Sequence, residues 1–262
     1  MKLIKAMATV AGLTMVSRVA GFIRDILTAA MLGAGPIADA FFVALKLPNF
    51  FRRVTAEGAF SVSFVPIYSK KLEAGESADA FASQSLSFMA LILAIFTTIM
   101  MVAMPFVVMA IAPGFTETVE IPCVMAPCLP LVDERFNLAV ELSRITFPYL
   151  FFISITALLG GVLNAHGRYG PFAAAPILFN LSLIGALLIG TKLFDTMGHA
   201  LSWGILISGV LQLAFMVVFI VRQKVKIKFV RAKMSPDIKK LLMLMGPGVL
   251  GAGVIHINLF AD

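Results

Sequence analysis

The sequence predicts an all-α integral membrane protein, on three observations. Its 262 residues are 60% hydrophobic and 13% charged, with a mean hydropathy of +0.98, and a water-soluble domain of this length lacks the interior to hide so much apolar surface. The apolar residues gather into about seven runs, each reaching the roughly 18 residues or more that a membrane-crossing helix needs. The basic residues then sort by side of the membrane, as the positive-inside rule requires.

The first run, 8–34, follows Lys2 and Lys5 and imitates a secretory signal, but Arg18 and Arg24 interrupt it and no clear cleavage site follows, so it reads as a retained helix. The second, 37–67, contains Pro48 and Gly58 on either side of Arg52 and Arg53 and is expected to change direction there. Five further spans are expected at 83–112, 140–164, 172–191, 200–221 and 238–260. These divide the chain into a six-helix lobe at 1–221, a basic linker at 222–237, and the first helix of a second lobe at 238–262. A faint internal echo agrees: Ile4-Lys5 precedes Gly12 as Ile238-Lys239 precedes Gly246, and membrane transporters are commonly built from repeats. The glycines Gly246, Gly248, Gly251 and Gly253 fit either a hinge or close helix packing.

With the N-terminus in the cytoplasm, thirteen of the 21 Lys and Arg residues fall on the inside and three, Arg135, Arg144 and Lys192, on the outside. The inside set includes the run from Arg222 to Lys240. This makes the net charge of +7 a topology signal that also meets anionic lipid head groups, not the footprint of nucleic-acid binding. The outside loop 113–136 carries Cys123 and Cys128, which form either a small disulfide or two free thiols. Two cysteines without a nearby histidine do not make a zinc site.

The remaining five basic residues lie inside the first two spans. Arg18, Arg24, Lys46, Arg52 and Arg53 share membrane depth with Asp25, Asp39 and Glu57. A charge there costs at least ~3 kcal/mol and normally faces a bundle interior or a water-filled cavity. Arg18 and Arg24 are six residues apart, which places them roughly 120° apart and nearly two turns along one helix, on adjacent faces of one wide cavity. Ser17 and Asp25 flank them, and Asp25 and Glu57 are the available counter-ions. Either these groups form internal ion pairs, or the cationic surplus binds an anion. The predominance of arginine favours a phosphate-bearing ligand, because the planar guanidinium donates in pairs to phosphate oxygens.

Catalytic signatures are lacking: there is no HExxH or GxSxG, and His166, His199 and His256 are scattered. The run Gly185 to Lys192 mimics a P-loop only in glycine spacing, with Thr191 and Lys192 in the wrong order. A non-enzymatic protein without catalytic, metal or cofactor residues is expected.

Ser17-Arg-Val-Ala-Gly-Phe-Ile-Arg-Asp25, Ala38-Asp-Ala-Phe-Phe42, Leu47-Pro-Asn-Phe-Phe-Arg-Arg53, Glu57-Gly-Ala-Phe-Ser61, Phe64-Val-Pro-Ile-Tyr68, Ile145-Thr-Phe-Pro-Tyr149 and Asn164-Ala-His-Gly167 together resemble the N-terminal part of the MurJ (MviN) family. These are the lipid II flippases of the multidrug/oligosaccharidyl-lipid/polysaccharide exporter superfamily. The resemblance implies a fourteen-helix fold of two six-helix lobes and two additional helices. It also implies translocation of undecaprenyl-diphosphate-linked disaccharide-pentapeptide across the bacterial cytoplasmic membrane by alternating access, coupled to the membrane potential or a monovalent ion. It assigns substrate binding to Arg18, Arg24, Arg52, Arg53, Asp39 and Ser17, and gate or ion-pair roles to Asp25 and Glu57. Its implied partners are lipid II, membrane lipids and a C-terminal lobe that the sequence stops short of. The alternatives are an exporter of polysaccharide lipid or drugs, or a fragment that does not transport. A membrane enzyme acting on lipid phosphates lacks a nucleophile.

Overall fold

The computed structural model describes residues 2–53, 60–115, 134–190 and 192–246. Among these, the secondary structure is helical, and five stretches are long and apolar enough to cross a membrane: Ile4–Leu32, Ala78–Val102, Arg135–Ala165, Gly170–Gly190 and Met197–Arg222. The chain is an integral membrane protein, as its composition predicts. Glu57, Cys123, Cys128 and most of the seventh expected span lie outside the described residues.

Helix α1 (Lys2–Leu32) is about 46 Å long at 1.5 Å per residue. It ends at Gly33, whose φ of +66° suits a residue without Cβ. Pro36 then opens α2 (Pro36–Arg52), where a missing N–H costs nothing, and Asp39 sits in the first turn, where the helix dipole favours a carboxylate. The second expected span comprises α2 and α3 (Ser61–Glu73); the residues 54–59 between them, where the change of direction is expected, lie outside the described residues. The third and fourth spans are interrupted. Helix α4 (Ala78–Val102) gives way at Ala103 to α5 (Met104–Ile111), which has a proline in its first turn. Helix α6 (Glu134–Thr146) breaks at Phe147-Pro148 before α7 (Tyr149–Ala165). The lobe is completed by α8 (Gly170–Gly190) and α9 (Met197–Arg222), the latter capped by the Thr196 hydroxyl, which accepts from the His199 N–H at 3.3 Å.

Helix α7 is the hub, buried along nearly its whole length between α3, α4, α8 and α9. One apolar core gathers Phe41, Leu47, Met104, Leu142, Leu187 and Leu201 from α2, α5, α6, α8 and α9. A second joins α3, α4, α7 and α9 around Phe60, Phe64, Tyr68 and Phe81, whose rings stack with centroids 5.2–5.6 Å apart. The spacing of Phe60, Phe64 and Tyr68 at i, i+4 and i+8 puts all three on one helical face. Small residues bring α8 and α9 together: a Cβ on Gly204 would stand 2.8 Å from that of Ala186.

Helices α3, α7 and α9 end alike. In each, the last turn is closed by paired backbone bonds, such as Arg168 N to Leu163 O and Gly167 N to Asn164 O. The left-handed position is glycine in two of them, Gly75 and Gly167, and Lys224 (φ 59°) in the third.

Beyond Lys224 the basic segment is extended and docked. Val225 and Ile227 pack against the second core while Lys224, Lys226 and Lys228 point outward, a period of two that only an extended backbone gives. Three backbone N–H groups donate to side chains one turn apart on α4: Lys226 to Asp79 Oδ2 (3.1 Å), Lys228 to Ser83 Oγ (3.1 Å) and Val230 to Ser87 Oγ (2.8 Å). Helix α10 follows, described over 236–246. It is fastened to the lobe by buried Ile238 and Leu241 and by an ion pair between Asp237 and Lys71 at 3.1 Å. Hydrogen bonding to Asp237 and then to Glu76 raises the Lys71 pKa above its ordinary value of 10.5.

Candidate functional site

A cavity of about 380 Å³ opens between α1, α2, α7, α8 and α9. Helix α1 supplies Ser17, Arg18, Gly21 and Arg24, and the last turn of α2 supplies Asn49 and Arg52. Tyr149 and Thr156 enter from α7, Phe179 and Asn180 from α8, and Gln212 from α9. Among the described residues, three arginines line this space and no carboxylate does.

Arg24 is the most constrained of the three. Its Nε and Nη2 donate to Asp25 Oδ1 at 3.0 and 2.6 Å, its Nη1 donates to Asn180 Oδ1 at 2.8 Å, and its guanidinium carbon lies 5.6 Å from the centre of the Phe179 ring. Asn180 also donates from Nδ2 to the Ser17 carbonyl at 2.9 Å. Arg18 is exposed on the adjacent face of α1 and makes no ion pair among the described residues. Arg52 sits half-buried where α2 ends. The polar wall is completed by Thr156, whose buried hydroxyl has no hydrogen-bond partner among the described residues, and by Gln212, whose amide donates to Ser208 O at 3.2 Å.

Of the residues singled out in the sequence, Ser17, Arg18, Arg24 and Arg52 meet in this cavity, and Asp25 adjoins it as the counter-ion of Arg24. Asp39 stands apart, 3.6 Å from Arg135 of α6, and Arg53 and Lys46 are exposed residues that are not among those lining the cavity. Glu57 lies outside the described residues. The sequence reading passed over Asn49, Thr156, Asn180 and Gln212. A signal for Asn180 was present, since it is the one amide in the apolar run from Gly170 to Gly190 and polar groups at membrane depth are rarely idle.

The model of the family described as lipid II flippase MurJ matches residues 28–262. A probable lipid II flippase MurJ from Rhizobium tropici is 38% identical over 99% of this chain and 47% of its own length. The lipid II flippase MurJ of Burkholderia cenocepacia is 34% identical over the whole chain and 49% of its own length. Among solved structures, a lipid II flippase MurJ in an inward closed conformation superposes with a TM-score of 0.73 at 26% identity, over 96% of this chain and 49% of that one. An outward-facing multidrug resistance MATE family transporter has the same TM-score at 17% identity, a likeness of fold alone. The chain spans about half the length of the curated relatives it matches. From its sequence and from its fold, this chain belongs to the lipid II flippase MurJ family.

Proposed function

We propose that this chain forms one wall of a lipid II translocation pathway in the bacterial cytoplasmic membrane, with its N-terminus in the cytoplasm. The diphosphate is held by Arg18, Arg24 and Arg52. The supporting observation is the cavity that three arginines line, with no carboxylate beside them among the described residues. Desolvated arginine keeps its charge and its paired donors, so such a wall stabilises a diphosphate far better than a neutral sugar or a cation. Asp25 offsets part of the Arg24 charge, and Arg18, which makes no ion pair among the described residues, adds a further positive charge to the wall. The work is transport and not bond-breaking. A second lobe facing α1 and α2 completes the cavity, and rocking of the two lobes carries the head group from the inner to the outer leaflet, driven by the membrane potential or a monovalent ion. The test is to replace Arg18, Arg24 and Arg52 singly by Ala in the chain co-expressed with a second lobe, and to measure lipid II appearing in the outer leaflet. Loss of translocation at normal membrane levels supports the reading. Wild-type rates for all three variants overturn it.

A further inference from the structure

Asn180 lies near the middle of α8, 6% exposed, and joins α8 to α1 at two points. Its two side-chain atoms face opposite chemistry. Arg24 Nη1 can only donate and the Ser17 carbonyl can only accept, so the amide has one satisfying orientation, with Oδ1 on the arginine and Nδ2 on the carbonyl. Gly21, between Ser17 and Arg24, lies directly beneath the amide, where a Cβ would meet Nδ2 at ordinary contact distance, 3.5 Å.

The two neighbours of Arg24 divide the work. Asp25 compensates its charge, whereas Asn180 is neutral and restrains it without cancelling any charge. Of the five N–H bonds of a guanidinium, Asp25 takes one from Nε and one from Nη2, and Asn180 takes one from Nη1. Among the described residues one N–H remains on each terminal nitrogen, two donors left for phosphate oxygens. We propose that Asn180 is a positioning residue that holds Arg24 and the Ser17 turn of α1 so that this remaining N–H pair faces the diphosphate. The proposal rests on the translocation reading above and names the residue that sets its geometry.

The test uses the full chain in lipid nanodiscs, with inorganic diphosphate titrated as the probe and Arg24 side-chain N–H signals followed by NMR. Asn180→Ala should weaken diphosphate binding about tenfold, the scale of a lost hydrogen bond to a charged group. Asn180→Leu, of similar bulk and at home in a membrane helix, should do the same and guards against a cavity artefact in the alanine variant. In an Arg24→Ala background neither substitution should weaken binding further, because the effect passes through Arg24. Unchanged affinity in the single variants overturns the proposal, and so does a loss that persists undiminished without Arg24. If Arg24→Ala itself leaves diphosphate binding unchanged, the translocation reading fails, and the NMR signals decide the positioning role separately. Arg24 N–H resonances that broaden or vanish in Asn180→Leu uphold it, and resonances identical to wild type overturn it.

Discussion

At the residue scale, charge and backbone conformation make separate predictions. Arg18 makes no ion pair among the described residues, so its guanidinium is free to bind an anion. Arg18→Ala is expected to weaken inorganic diphosphate binding by roughly tenfold or more, and Arg18→Lys to restore only part of it, because an ammonium keeps the charge but not the fork. Titration calorimetry on the three proteins checks the order. Lys224 occupies a left-handed position that Gly75 and Gly167 fill at the equivalent helix ends. Lys224→Gly is therefore expected to stabilise the protein by about 1 kcal/mol, read as a higher midpoint in denaturant. Gly204→Val should act oppositely, costing on the order of 1–3 kcal/mol by forcing α8 and α9 apart. The arginines were legible in the sequence because a charge in an apolar span is conspicuous. Asn180 carries a fainter signal, as the one amide in its apolar run, and its value arises only when α8 is laid against α1.

At the element scale, the sequence disclosed the apolar spans but not all their interruptions. A change of direction is expected beside Arg52 and Arg53 from proline, glycine and charge together, in residues that lie outside those described. The breaks at Ala103 and at Phe147-Pro148 each hang on a single proline, and a proline alone does not distinguish a kink from a break. Helix α6 starts at Glu134, ahead of the expected span, because its first turns are polar and hydropathy does not register them. The docked basic segment was read as a linker, since its lysines dominate its composition while the serines that hold it lie far away on α4. Ser83→Ala with Ser87→Ala should free the Lys228 and Val230 amides, seen as at least about tenfold faster hydrogen exchange, for a loss of about 1 kcal/mol per bond. The Lys71–Asp237 pair gives α10 a pH dependence. Because the Lys71 pKa is raised, the contribution is complete below about 10.5 and is lost as the pH climbs through the higher folded value. Both side chains are partly exposed, so the effect is at most about 1 kcal/mol. Alkaline loosening of α10, followed by exchange at Ile238, should vanish in Lys71→Met.

At the scale of the whole molecule, the fold puts Ser77 and Lys226 at one end of the lobe, where Asp79 binds the Lys226 amide, while Thr196 caps α9 at the other. With Cys123 and Cys128 replaced, single cysteines at Ser77 and Lys226 should resist an impermeant thiol reagent in intact cells, whereas one at Thr196 should react. The opposite pattern reverses the topology. Within this lobe α1 is covered on one side by α8, with only 6% of its apolar window fully buried, and it carries Arg18 on an exposed face. Rescue of a flippase-depleted cell is expected only when a second lobe is supplied alongside, and growth with this chain alone overturns the two-wall reading. The clasp on α4 bears on how such lobes would move. Four residues of helix advance about 6 Å and two residues of strand about 6.6 Å, so acceptors one turn apart meet alternate amides for three steps before the mismatch accumulates. Such a fit does not slide gradually: shifting by one residue turns the lysines inward and strips every amide of its acceptor. A pull on α10 is thus transmitted to α4 as through a rod, without slack, until all three bonds yield together.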